Sequence, residues 1–278
     1  MSILWLILLA VIAVIAFLSN ISTKWNYNIK MCFYYMTILL HGAECCITAF
    51  PSFLQGKGAD YIFNSFYYWC YWTGVRTHVR GLEHTQIDGP AVVICNHQSS
   101  IDIIGMTSCW PNKCAVMMKR ILAFVPFFNL ASYFANSIFI DRSNRERAKN
   151  SVDHCVSELK RRGLKIWMFP EGTRNREGGL MPFKKGAFNI AVRAQVPIIP
   201  VVFSDYSPFY SKNEKYFMND GEVIIEVLPP ISTDGLNIED VPEFSEKVRQ
   251  QMLNVYERIS VEAKEMMEKK RNMLKKQL

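Results

Sequence analysis

The chain lacks most of the signatures that usually declare a function. No C-x-x-C pair occurs among its eight cysteines, and no histidine lies at zinc-finger spacing from a cysteine pair. The common structural zinc modules therefore have no candidate. There is no P-loop, no G-x-G-x-x-G and no G-x-S-x-G elbow, so neither a nucleotide-cradling loop nor a serine-hydrolase nucleophile is signalled. No internal repeat or low-complexity tract is visible. Only Met1 and Ser2 precede the first apolar run, without the basic stretch of a signal peptide, which favours a retained anchor over a cleaved leader.

What is present is apolar and mildly basic. Half of the 278 residues are hydrophobic, enough for one large domain or one domain plus a membrane anchor. The net charge of +7 suits nucleic acid, anionic lipid or a phosphorylated substrate, and chooses among none of them. The absence of any nucleic-acid motif and the apolar N-terminus argue against the first. Several cysteines sit inside apolar runs and read as reduced core residues of a chain facing the cytosol.

Residues Ile3–Leu18 are uninterruptedly apolar. A spanning helix needs ~20 residues, so with its flanks this run suffices as an anchor. A second stretch, Met31–Leu54, is broken by His41 and Glu44, three residues apart and on one helix face. It reads either as a span or as half of an interfacial hairpin. Tyr61–Trp72 is dense in aromatics, as belts at lipid headgroups are. Residues 1–75 are thus predicted to be membrane-anchoring segments, and 76–278 a separate domain with a charged C-terminal helix.

After about residue 85 short β-rich runs alternate with helical patterns, which predicts an α/β domain with a central mixed sheet flanked by helices. Strands are expected at Ala91–Cys95, Cys114–Met118, Ser137–Ile140, Lys165–Phe169, Ile198–Phe203 and Val223–Leu228, and helices at Asn144–Arg162 and Pro242–Gln277. Val196–Val202 carries two prolines, which places it at an edge or a bend.

Three strand ends carry chemistry. The first runs into Asn96-His97-Gln98-Ser99-Ser100-Ile101-Asp102. His97 and Asp102 can meet if the histidine sits in the turn and the aspartate in the first turn of a helix capped by Ser99 or Ser100. A carboxylate on one ring nitrogen leaves the other free to take a proton from an alcohol. The same segment also reads as a capped helix with an incidental histidine. The second is Phe169-Pro170-Glu171-Gly172-Thr173-Arg174, where Arg174 offers a planar fork for phosphate and Glu171 could brace it. It reads equally as a surface turn with a salt bridge. The third is Ile138-Phe139-Ile140-Asp141-Arg142. Lys184 and Lys185 add positive charge near Arg174 in sequence.

In this order, the set resembles the lysophosphatidic acid acyltransferase (1-acylglycerol-3-phosphate O-acyltransferase) family of glycerolipid acyltransferases. Its blocks are N-H-x-x-x-x-D, a G-x-I-F-I-D-R-like stretch, F-P-E-G-T-R and V-P-I-I-P-V, covered here by roughly residues 85 to 205. Asn136 stands where the second block usually has Gly; Asn also tolerates a left-handed backbone. The resemblance implies that His97 is the general base and Asp102 its orienter. It further implies that Arg142, Glu171, Gly172, Thr173, Arg174 and Lys184 bind the acceptor, and that Val196–Val202 shapes the acyl-donor side. The implied reaction transfers an acyl group from acyl-CoA, a co-substrate, to the sn-2 hydroxyl of lysophosphatidic acid, giving phosphatidic acid. It needs no acyl-enzyme, no metal and no cofactor. Glycerol 3-phosphate or another lysophospholipid is the alternative acceptor, and a catalytically silent membrane-binding homologue the alternative role. The ending Lys275-Lys276-Gln277-Leu278 resembles a di-lysine retrieval signal, which predicts the endoplasmic reticulum membrane with the catalytic domain facing the cytosol.

Overall fold

The structure, a computed structural model, describes residue 5 and residues 22–140 and 145–277, with side chains described except at 145–151 and 277. Three helices come first: α1 (Thr23–Thr48), α2 (Phe50–Leu54) and α3 (Gly58–Trp69). Then follow β1 (Arg76–Arg80), β2 (Ala91–Cys95), α4 (Asp102–Ser108), β3 (Cys114–Lys119), α5 (Phe128–Phe134), β4 (Ile138–Ile140), α6 (Arg145–Arg162) and β5 (Lys165–Met168). The chain ends with α7 (Gly186–Ala194), β6 (Ile198–Phe203), the small pair β7 (Tyr210–Ser211) and β8 (Tyr216–Phe217), β9 (Glu222–Val227) and the long α8 (Val241–Gln277).

Seven strands form one sheet in the order β1-β9-β6-β2-β5-β3-β4. From β6 to β4 all neighbours are parallel, β9 runs antiparallel to β6, and β1 is parallel to β9. The sheet is mixed and flanked by helices, as predicted. Strands β2, β5 and β6 are buried at every residue, the state of parallel strands covered on both faces. Alternate residues then belong to different layers. Ala91, Val93 and Cys95 share a core with residues of α1, α3 and α4, whereas Val92 and Ile94 share one with α6, α7 and α8.

The predicted strands agree with the observed ones to within a residue at either end. Strand β1 escaped prediction because Arg-Thr-His-Val-Arg is mostly polar and its residues are only half covered at the sheet edge. The proline-marked strand β6 is not at an edge: it lies between β9 and β2. Two details accommodate Pro200. The Ile198–Ile231 bridge and the Val201–Val227 pairing are out of step by one residue, so the partner strand bulges beside Pro200. Its carbonyl is still used, accepting from the Leu228 N–H at 2.9 Å.

The expected membrane helices are not found: among the described residues no helix is long and apolar enough to cross a membrane. All of the run Ile3–Leu18 except Trp5 lies outside the described residues. Within Met31–Leu54, α1 ends at Thr48 and the chain turns at Ala49 into the five residues of α2. His41, Glu44 and the threonines keep α1 too polar to span, and Tyr27, Met31 and Tyr34 bury one face of it in the core of the sheet. Six of the eight cysteines are buried, as core residues are.

Candidate active site

The five parallel strands end on one edge of the sheet, and the loops after β2 and β5 meet there. Asn96, the residue after β2, fixes the first loop. Its amide N–H donates to the carbonyl of Phe203 at 2.9 Å and its Oδ1 accepts from the Phe203 N–H at 2.8 Å, prolonging the ladder to β6 through a side chain. Gln98 repeats the device one turn on, donating to the Ser204 carbonyl at 2.9 Å. His97 is therefore held between two pinned neighbours.

The side chain of His97 donates from Nδ1 to Oδ2 of Asp102 at 2.6 Å. Asp102 is 2 % exposed and opens α4 with its carboxylate turned back over the loop, accepting also from the N–H groups of Gln98 at 2.9 Å and Ser99 at 3.0 Å. The expected serine cap is not formed: neither Ser99 nor Ser100 caps the helix by its side chain, because Asp102 itself satisfies the loop amides. The Nδ1 bond to Asp102 selects the tautomer of the neutral His97 ring in which Nδ1 carries the proton and Nε2 the lone pair. The ring of Phe169 stacks on the imidazole with centroids 4.0 Å apart, which fixes its rotation.

The loop after β5 clasps the same histidine. Glu171 is 1 % exposed. It accepts from the His97 N–H at 2.8 Å and, with its other oxygen, from the Met181 N–H at 3.1 Å. Asn175 N–H donates to the His97 carbonyl at 2.7 Å. Glu171 thus does not brace Arg174; two backbone donors at a buried site hold its carboxylate more firmly than an exposed guanidinium would. Burial pushes its carboxyl up to about 6 against these bonds, which pull the other way. Gly172 has φ +70°, and a Cβ there would strike the side chain of Lys184, which arches over it. The positive φ favours glycine, and any side chain there would also push the lysine tail aside.

A cavity of about 520 Å³ opens at the dyad. His97, Asp102, Gly172, Thr173 and Arg174 all line it, so most of the predicted site converges on one space. Its far wall is apolar, from Ile38 and Phe63 to Met117 and Phe128. Glu171 and Lys184 are not part of this lining, and Arg142 lies outside the described residues. None of Val196–Val202 lines this cavity: β6 is buried sheet core. Asn136 does take the left-handed conformation asked of it, with φ +55°.

Sequence reasoning missed Arg176, which lines the cavity two residues beyond Arg174 and was signalled by that spacing alone. It also missed Gln98 and Phe169 as supports, which nothing short of the packing reveals. A second, polar cavity of about 210 Å³ shares Ser99, Ser100, Arg174 and Arg176 with the first and is walled also by Tyr35, by the loop after Arg174 and by the β7–β8 region, including Tyr206 and Lys212.

The comparisons with known proteins agree with this geometry. Residues 76–204 match the profile of the Acyltransferase family. A Caenorhabditis elegans protein, acl-2, assigned to the 1-acyl-sn-glycerol-3-phosphate acyltransferases, is 64 % identical over 254 residues, covering 91 % of this chain and 90 % of its own. The mouse 1-acyl-sn-glycerol-3-phosphate acyltransferase alpha is 44 % identical over 69 % of this chain and 67 % of its own. The crystal structure of the 1-acyl-sn-glycerophosphate acyltransferase PlsC from Thermotoga maritima has the same fold, with a TM-score of 0.64 at 22 % identity, over 84 % of this chain and 98 % of that one. With a relative this similar along nearly its whole length, the chain is an acyltransferase and belongs to the family of the 1-acyl-sn-glycerol-3-phosphate acyltransferases.

Proposed function

We propose that the chain transfers an acyl group from acyl-CoA to the sn-2 hydroxyl of lysophosphatidic acid, giving phosphatidic acid for phospholipid and triacylglycerol synthesis. The observation that carries this reading is a histidine–carboxylate pair facing a large apolar cavity with Arg174 on its wall. Among the described hydrogen bonds none joins His97 to a serine or cysteine side chain, so the acceptor alcohol is itself the nucleophile.

In this reading Nε2 of His97 takes the hydroxyl proton as the oxygen attacks the thioester carbonyl. Asp102 stabilises the imidazolium that forms. Collapse of the tetrahedral intermediate breaks the C–S bond, and the proton passes from His97 to the departing thiolate of coenzyme A. No acyl-enzyme, metal or cofactor enters the transfer. The apolar cavity takes acyl chain, and the polar chamber beside it suits the phosphoglycerol head, because Arg174 and Arg176 stand on the wall between the two. Thr173 and Lys184 complete the acceptor side, and Arg142, outside the described residues, is a further candidate by the family pattern. Glu171 contributes by positioning, since its oxygens are already engaged.

The chain works at a lipid bilayer in this reading. Phe33, Met36, Leu40 and Ile47 on α1 and Ile121 and Phe124 before α5 are all exposed, more apolar surface than a monomer facing water carries without purpose. Ile3–Leu18 would anchor it, and the di-lysine ending would keep it in the endoplasmic reticulum with the site facing the cytosol. The test is acyl transfer by the purified protein from acyl-CoA to lysophosphatidate, glycerol 3-phosphate and lysophospholipids with larger headgroups. Preference for lysophosphatidate is expected. Equal use of a choline-bearing acceptor would overturn the assignment, and no transfer to any acceptor would leave the silent membrane-binding role.

A further inference from the structure

Away from the acyl-transfer residues, one turn of α1 gathers a histidine, a carboxylate and a thiol. One ligand atom each from His41, Glu44 and Cys45 lies within 4.8 Å of the other two, and His41 and Cys45 are both buried. Cys45 Sγ is 3.3 Å from His41 Nε2 and 3.5 Å from Glu44 Oε2. A tetrahedral zinc ion with bonds of ~2.0–2.1 Å to nitrogen and ~2.3 Å to sulfur requires ligand atoms about 3.5 Å apart. Two of the three edges already have that length, and the third closes by a small rotation of the Glu44 carboxylate.

The surroundings fit a site as well. Ser65 Oγ on α3 is 2.8 Å from His41 Nε2 and offers the fourth position, by itself or through water. Thr48 and Tyr61 hydroxyls donate to Glu44 Oε1 at 2.5 Å and 3.3 Å, orienting the carboxylate as outer partners of a metal ligand do. His41 and Gly42 line the large cavity, which gives an ion a way in. The donor set of one imidazole, one thiolate and one carboxylate selects a thiophilic divalent cation. Magnesium and calcium prefer oxygen ligands alone.

We propose that His41, Glu44 and Cys45 bind a thiophilic divalent cation of the zinc type, which clamps α1 to α3 in the roof of the cavity. The ion takes no part in proton transfer at His97. It acts on the two helices that wall the apolar end of the cavity.

The full chain, purified and stripped with chelator, is titrated with Co²⁺ as a coloured stand-in for Zn²⁺. The expected result is a near-ultraviolet thiolate-to-cobalt band that saturates at one ion per chain and vanishes when Zn²⁺ is added. Cys45→Ser, nearly isosteric, removes the band, while Cys46→Ser keeps it. If Cys45→Ser does not fold, Glu44→Gln on the half-buried side of the cluster serves, with Co²⁺ affinity falling at least ten-fold. No band in the parent chain, a band that survives Cys45→Ser, or unchanged affinity in Glu44→Gln overturns the proposal.

Discussion

The two sides of the cavity are built on opposite principles. On the sheet side, polar atoms are closed on one another. His97 is held through its ring, its N–H and its carbonyl by Asp102, Glu171 and Asn175, and Asn96 and Gln98 pin the loop to β6 and its extension. On the roof side, α1, α3 and α5 offer the cavity apolar side chains and leave others facing outward. The first arrangement is specified by hydrogen bonds, which are directional and tolerate no substitution. The second is specified by buried area, which many sequences satisfy. Chemistry that must place a proton belongs on the first; a surface that must accept chains of variable shape belongs on the second.

Breaking the sheet side should cost the most. His97→Ala removes the base and should lower kcat by roughly 10²–10⁴-fold, the span of general-base contributions, while the fold and lipid retention persist. Asp102→Asn should lower kcat far more than it raises KM, since an amide no longer selects the tautomer that leaves Nε2 free. Steady-state kinetics on purified variants checks both. Near-normal transfer by His97→Ala would remove the histidine from the mechanism.

Next comes the wall between the chambers. Arg174→Lys keeps the charge and loses the fork, a change of ~1.5–3 kcal/mol for a contact to a charged group, or roughly ten- to a hundred-fold in kcat/KM. The loss should appear when lysophosphatidate is varied and shrink when acyl-CoA is varied at saturating acceptor. A defect confined to the acyl-CoA titration would transfer Arg174 to the donor.

Glu171 sharpens the comparison by testing what a saturated buried carboxylate is worth. Its carboxyl titrates near 6 in the folded chain against an ordinary value of 4.5. A group with a raised folded value binds more protons when native, so stability is greatest below about 4.5 and falls as pH rises toward about 6. The shift corresponds to about 2 kcal/mol. Glu171→Gln should abolish that slope in denaturant titrations between those limits. At neutral pH its net effect should be small, because shedding a buried charge offsets the ~1–3 kcal/mol of facing a backbone N–H with an amide N–H. Glu171→Ala has no such offset and should be the less stable of the two. Unchanged pH dependence in Glu171→Gln would mean that another group titrates.

The same contrast explains what the sequence made legible. The buried parallel strands announce themselves as apolar runs, and the dyad as a histidine five residues from an aspartate at the end of one of them. Their placement on a common edge follows from parallel pairing alone. Glu171 was misread because a carboxylate three residues from Arg174 suggests an ion pair, whereas its partners are backbone amides of residues 97 and 181. Pro200 was misread because the bulge that admits it lies in the partner strand. For Met31–Leu54 the sequence left a span and an interfacial hairpin open, because an apolar helix face docked on a sheet has the same composition as one docked on lipid; α1 buries Tyr27, Met31 and Tyr34 in the core of the sheet and leaves other apolar side chains exposed.

The smallest effect should come from the roof, and it separates lipid contact from anchoring. Ile47 on α1 and Phe124 before α5 are 79 % and 72 % exposed, and neither lines the cavity. Serine at these two positions should therefore leave folding and the acyl-chain space intact. Full burial of such a side chain is worth ~1.5–3 kcal/mol, and partial insertion at an interface about half of that. With residues 1–20 present, Ile3–Leu18 should dominate, and the double variant should stay with membranes through an alkaline carbonate wash. With residues 1–20 removed, retention on phospholipid vesicles should rest on the roof, and each serine should weaken it by roughly four- to twelve-fold. Vesicle flotation of the shortened chain with and without the two substitutions measures this. Equal flotation of both would show that the outward apolar face of α1 and α5 meets something other than lipid.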